Sequence, residues 1–167
     1  MLFKDKLKEN KILLFDGAMG TMLQTYGMTG GELPERYNIE KPDIIEKIHS
    51  DYLEAGADIL TTNTFGANSY KLEGSGLKVE EVIAAAASCA RKAIEASGRK
   101  AYIALDIGPI GQLMEPMGTL SFNEAYNYIK EQVEAGEKAG CDLVLLETMT
   151  DIYELKAGIL AVKENSN

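Results

Sequence analysis

The sequence predicts an α/β fold of repeated βα units, on three observations. Short apolar runs begin near residues 12, 58, 101 and 142, at spacings of 46, 43 and 41 residues. Stretches of helical periodicity fill the intervals. The segment Glu54-Ala55-Gly56-Ala57-Asp58-Ile59-Leu60 is echoed by Lys138-Ala139-Gly140-Cys141-Asp142-Leu143-Val144, so one helix end, glycine cap and strand entry is used twice. Strands alternating with helices imply a parallel sheet with right-handed crossovers, which put the helices on one outer side if the sheet curls.

The elements follow in order. The alternating charges of residues 5–9 read as a solvated helical turn. Ile12-Leu13-Leu14-Phe15 is the first strand, followed by a glycine-rich turn and a loop over residues 27–38. Pro42 starts a helix whose first turns carry Asp43 and Glu46, where carboxylates suit the helix dipole. Ile44, Ile45, Ile48, Tyr52 and Leu53 recur on one face of it, and Gly56 ends it. The second strand runs from Asp58 to Thr62. A helix over 79–96 stops at Gly98, and the third strand is Ala101-Tyr102-Ile103-Ala104-Leu105. A second long loop, 107–120, follows. Ser121 with Glu124 three residues on has the capping-box pattern and opens a helix that closes at Gly140. Leu143-Val144-Leu145-Leu146 is the fourth strand, and a last helix covers 151–162, with Asp151 and Glu154 in its first turn. His49, one turn from Ile45 and Leu53, is expected to pack rather than to react. Loop methionines such as Met19, Met22, Met28, Met114, Met117 and Met149 are expected to fill gaps.

The chain has 167 residues, 46 % hydrophobic and 26 % charged, an ordinary balance for one domain with a core. A formal charge of −9 argues against a phosphate-binding surface, so no nucleic acid is expected. No stretch approaches the roughly 18 apolar residues needed to span a membrane. The lysine-rich start lacks the apolar core of a signal peptide, and the expected location is the cytoplasm. Cys89 and Cys141 have no metal-ligand spacing and are expected to be buried free thiols.

Four side chains close the four apolar runs: Asp16, Asn63, Asp106 and Glu147. In a parallel sheet they share the rim where βα proteins gather ligands and catalytic groups. One such position reads as a turn or helix cap; four in register read as a site for a cation. That cation is either a ligand's ammonium group or a hard metal ion such as magnesium held by Asp16, Asp106 and Glu147. In Phe15-Asp16-Gly17-Ala18-Met19-Gly20-Thr21, small residues let the backbone approach a ligand and present N–H groups. Such a loop suits a carboxylate beside an ammonium, the two charged ends of an amino acid.

These residues also carry a resemblance. The Asp16 segment, Thr62-Asn63-Thr64-Phe65-Gly66-Ala67-Asn68, Asp106-Ile107-Gly108-Pro109-Ile110-Gly111 and Leu146-Glu147-Thr148-Met149-Thr150-Asp151 resemble the homocysteine S-methyltransferase family. So do Glu32-Leu33-Pro34-Glu35 through Tyr37-Asn38 and Lys41-Pro42-Asp43. The likeness is closest to the N-terminal homocysteine-binding barrels of cobalamin-dependent methionine synthases and covers nearly the whole chain. It implies a TIM-type (βα)8 barrel, of which about the first four βα units, a half barrel, are expected in residues 1–167. It implies methyl transfer to homocysteine made reactive as a zinc thiolate, with methylcobalamin/methyltetrahydrofolate as the donor that fits the likeness and S-methylmethionine or betaine as the donors of other enzymes that share the barrel. By the resemblance, Asp16 and Glu147 hold the amino group, the backbone of Gly17 and Ala18 takes the carboxylate, and Asn63, Thr64 and Asp106 line the pocket.

The family's zinc cysteines stand in Gly-x-Asn-Cys and Gly-Gly-Cys-Cys-Gly segments, which this sequence lacks. No metal or catalytic role is therefore carried onto Cys89 or Cys141, and the ligands are expected beyond Asn167. Homocysteine and the cobalamin- and folate-binding domains of an intact enzyme are the expected partners, and this stretch alone is expected to be inactive. The alternatives are a different barrel enzyme with a carboxylate-bound hard metal, or a non-catalytic half-barrel that binds or assembles. A half barrel would expose two sheet edges and an inner face including Leu13 or Leu14, Leu60, Ile103 or Ala104, and Leu145. Self-association is expected to follow.

Overall fold

A computed structural model describes residues 3–8 and 12–166. The elements run α1 (Phe3–Leu7), α2 (Met19–Thr25), a 3-10 turn (Pro34–Arg36), α3 (Tyr37–Glu40), α4 (Pro42–Ala55), β1 (Ile59–Thr61), α5 (Val79–Ser97), β2 (Tyr102–Ile107), α6 (Phe122–Ala139), β3 (Leu143–Leu146) and α7 (Ile152–Asn165). The sheet is parallel in the order β1-β2-β3, with Leu60 opposite Ile103 and Leu105 opposite Val144. Chain order and spatial order coincide, as successive βα crossovers require. The four long helices pack in the same sequence, α4 on α5, α5 on α6 and α6 on α7. The fold is α/β, with a small parallel sheet carried by its helices.

The helix ends are where local chemistry puts them. Gly56, Gly98 and Gly140 cap α4, α5 and α6 in the left-handed conformation, which costs glycine nothing. Ser121 Oγ accepts from the Glu124 N–H, and the Glu124 carboxylate accepts from the Ser121 N–H at 3.0 Å, closing the capping box. Asp151 accepts from the Tyr153 and Glu154 N–H groups at the start of α7. The helix expected over 151–162 continues to Asn165. The turn expected over 5–9 is helical over Phe3–Leu7, and Glu9 lies outside the described residues.

Three expectations are corrected. The first strand is reduced to one bridge, Phe15 to Ile59. The segment still lies parallel beside β1: Leu14 O accepts from the Asp58 and Ile59 N–H groups, and Asp16 N–H donates to Ile59 O. Its own Leu14 N–H turns instead to the Asp58 carboxylate at 3.0 Å, so the ladder stops. The loop read over 27–38 contains the 3-10 turn and the start of α3. The turn after the first strand contains α2, whose Leu23 is buried with Tyr37, Ile45 and Ile48 while Met19 and Met22 pack against them.

The inner-face expectation also changes. Leu60 and Ile103 are buried against Leu53, Ala90 and Ala93 of the helix layer and Ala57 just past α4, and Ala104 is buried too. The exposed apolar groups of the first segment are Ile12, Leu14 and Phe15. Met114 is buried and Met149 packs on the largest core cluster, but Met117 is exposed and fills no gap. Cys89 is buried; Cys141 is only half-buried, contrary to the sequence reading. Burial pushes their thiols up to about 11 and about 12. Among the described residues, no helix is long and apolar enough to cross a membrane.

Candidate functional site

A cavity of about 790 Å³ opens at the carboxyl ends of the strands. All seven residues singled out by sequence line it: Asp16, Gly17, Ala18, Asn63, Thr64, Asp106 and Glu147. Asp16 follows the Phe15 bridge, Asn63 lies two residues past β1, Asp106 is the penultimate residue of β2, and Glu147 follows β3 directly. Adjacent parallel strands thus deliver acidic groups to one rim.

Asp16 is held by the neighbouring strand. Thr61 donates to its carboxylate through the backbone N–H at 3.0 Å and through Oγ1 at 2.8 Å. Its side chain is 1 % exposed, and His49 Nδ1 stands 3.9 Å behind Oδ2. Burial pushes the Asp16 carboxyl up to about 6 against the opposing pull of the Thr61 donors, with the Glu147 charge adding a little. His49 packs as expected: it is fully buried on α4, neither ring nitrogen has a hydrogen-bond partner, and burial lowers its pKa to about 4. It is neutral at pH 7.

Asp106 has the opposite environment. Its backbone is fixed on both sides, because Asp106 N–H donates to Thr62 Oγ1 at 3.1 Å and Asp106 O accepts from Thr64 Oγ1 at 2.7 Å. Its carboxyl is not fixed: Oδ1 is buried without a hydrogen-bond partner. Burial first, and then the charges of Glu147, Asp16 and Glu35, push it up to about 8.

Asn63 and Thr64 face the cavity but are committed to the protein. The Asn63 amide donates to Pro34 O at 2.7 Å and to Asn38 Oδ1 at 2.9 Å, and Asn63 O accepts from Asn38 Nδ2 at 2.8 Å. That net ties the 3-10 turn to the end of β1. Thr64 Oγ1 is shared between Asp106 O and Thr62 Oγ1. Gly17 permits a close approach: a Cβ there would lie 2.8 Å from the Tyr52 ring, whose hydroxyl donates to Ala18 O at 3.1 Å. Thr148, directly after Glu147, has φ +56°, a strained conformation for a β-branched residue and one that recurs at functional sites.

Sequence reasoning missed Thr61, Thr62, Glu35 and Lys71 as members of the site. The polar run Thr61-Thr62-Asn63-Thr64 directly after an apolar strand was a usable signal. Glu35 is buried and accepts from the Gly66 N–H at 2.6 Å. Lys71, the one basic side chain lining the cavity among the described residues, donates to Pro109 O at 2.8 Å and lies over the Phe65 ring. These depend on loops folding onto one another, which periodicity does not report.

A zinc set does not fit the residues present. Among the described residues, no three His, Cys, Asp or Glu side chains converge as a metal site. Cys89 packs among Leu23, Ile45 and Ile48, and Cys141 packs against the core, so neither lines the cavity. Asp16, Asp106 and Glu147 do not converge as a hard-metal set either.

The sequence pattern of the family described as homocysteine S-methyltransferase matches residues 13–167. The methionine synthases of Mycobacterium tuberculosis and Mycobacterium leprae are each 31 % identical over 161 residues, covering 90 % of this chain. The chain spans only 13 % of the length of either. Among solved structures, the homocysteine methyltransferase MmuM from Escherichia coli superposes in its oxidised form with TM-score 0.83 at 27 % identity, covering 95 % of this chain and 60 % of that one. Its metallated form superposes with TM-score 0.82 at 25 % identity, covering 97 % and 63 %.

Proposed function

The chain belongs to the homocysteine S-methyltransferase family, and from that premise we propose that its rim cavity binds homocysteine for methyl transfer to methionine. The observation that carries the reading is the cavity's chemistry: Asp16 from the segment bridged to β1, Asp106 from β2 and Glu147 after β3 line it beside a small-residue loop, and the Asp16 and Asp106 side chains are buried. An α-ammonium group satisfies buried carboxylates that would otherwise lack countercharge. Asp16 and Glu147 take the ammonium. The backbone around Gly17 and Ala18 takes the ligand carboxylate. Asn63 and Thr64 act as braces, one for the loop over the cavity and one for Asp106.

Residues 1–167 are the N-terminal portion of a homocysteine-binding barrel in this reading, a sector of the (βα)8 fold. The consecutive parallel strands and the likeness to MmuM support it. Zinc, where the family uses it, generates the thiolate. The described residues do not supply its ligands, and turnover by this stretch alone is not expected. Methylcobalamin as donor, and the cobalamin- and folate-binding domains, belong to the proposal for an intact methionine synthase; the two mycobacterial relatives support that assignment by name.

The test is calorimetric titration with L-homocysteine and with 4-sulfanylbutanoate, which keeps the thiol and carboxylate but lacks the amino group. Binding of the first and at least tenfold weaker binding of the second, about 1.4 kcal/mol, support the site. Equal affinities contradict it.

A further inference from the structure

Asp106 differs from the other acidic groups of the cavity in a way that the amino-group reading leaves unused. Asp16 receives donors from Thr61. Asp106 is 8 % exposed, lines the same cavity, and has Oδ1 buried with no partner. Thr62 and Thr64 hold its backbone through the N–H and the carbonyl, and among the described residues no hydrogen bond reaches Oδ1. A buried, unpartnered carboxylate oxygen on a residue that lines a cavity leaves a polar bond unmade in the empty site.

We propose that Asp106 is the proton-linked member of the ammonium subsite: it carries a proton in the empty cavity and releases it to solvent as the ligand's ammonium arrives. This rests on the amino-acid-binding reading above and adds its regulation by pH. The charge balance argues for it. Three ionised carboxylates around one ammonium leave a surplus of negative charge in a half-enclosed space; an empty cavity with all three ionised is worse still. Holding one proton in the empty state and exchanging it for the ammonium keeps the buried charge nearly constant. The facing groups agree. Glu147 follows β3, Asp16 lies at the sheet edge and Glu35 comes from the 3-10 turn, and all three favour a proton on Asp106. His49, behind Asp16, is neutral at pH 7. Lys71 on the same wall is bonded to Pro109 O. The raised Asp106 pKa, about 8, matches this role.

The experiment is titration of this chain with L-homocysteine at pH 7 in two buffers of different ionisation enthalpy, which counts protons released. About one proton per ligand is expected, with affinity rising roughly fivefold between pH 7 and pH 8. In Asp106→Asn both the release and the pH slope should disappear. Should that variant fail to fold, infrared difference spectra of the wild type with labelled aspartate decide, through loss of a protonated-carboxyl band on binding. Binding without proton release, release that persists in Asp106→Asn, or an unchanged carboxyl band overturns the inference and leaves the homocysteine reading standing. Absence of any binding overturns both.

Discussion

Asp16 and Asp106 show how far two aspartates can diverge one strand apart. Both are buried; Thr61 donates to the first, and no donor reaches Oδ1 of the second. If Asp16 holds the ligand ammonium as proposed, Asp16→Asn should lower homocysteine affinity about 10- to 100-fold, the equivalent of ~1.5–3 kcal/mol, as calorimetry would show. Gly108 gives a steric test. A Cβ there would lie 2.5 Å from the Phe65 ring, which lines the cavity. Gly108→Ala should therefore displace Phe65 and weaken ligand binding, with the ring shift visible by crystallography. At this scale the sequence was legible where a residue type ends a strand: Asp16, Asn63, Asp106 and Glu147 all reach the cavity. It was not legible where bonding decides the role. Nothing in the sequence distinguishes an asparagine that faces a ligand from Asn63, whose amide is bonded to Pro34 and Asn38.

The long helices were readable because their ends carry their own chemistry. Ser121→Ala removes one half of the capping box and should destabilise by about 1 kcal/mol, measurable as a lower midpoint of urea unfolding. The short elements were not readable. In α2 a helical stripe of Met19, Met22 and Leu23 is embedded in glycine and polar residues, so packing on Ile45 and Ile48, not propensity, makes it helical. The first strand has strand-like composition but keeps a single bridge, because the Asp58 carboxylate captures the Leu14 N–H. The outer edges of the sheet, at the Phe15 segment and β3, and the exposed Ile12 and Leu14 beside one of them, lead to the expectation of self-association. Sedimentation of this chain should show concentration-dependent growth; a monomer at every concentration would contradict it.

The whole molecule inherits a pH dependence from its buried groups. Asp106, raised to about 8, and Asp16, raised to about 6, hold protons in the folded state that the unfolded chain has already lost. Their contribution to stability is present at low pH and is lost as pH rises through the raised values. His49, lowered to about 4, acts the other way: its contribution is present above 6.5 and is lost as pH falls towards 4. Between pH 6.5 and 8 the Asp106 effect dominates, so the melting temperature should fall across that window. Asp106→Asn should flatten the decline. The α/β class was legible in the regular strand spacing and in the Gly56 and Gly140 echo. The way the loops meet over the cavity, through Glu35, Gly66 and Asn38, was not, because contacts between distant segments leave no period in a sequence.

The central claim is that the acidic rim receives an amino acid's ammonium group. A crystal structure of this chain with L-homocysteine tests it most directly. The ligand nitrogen should lie within about 2.6–3.2 Å of Asp16 and Glu147 carboxylate oxygens, with the ligand carboxylate against the backbone of Gly17 and Ala18. A ligand bound in the reverse sense, or outside the cavity, would contradict it.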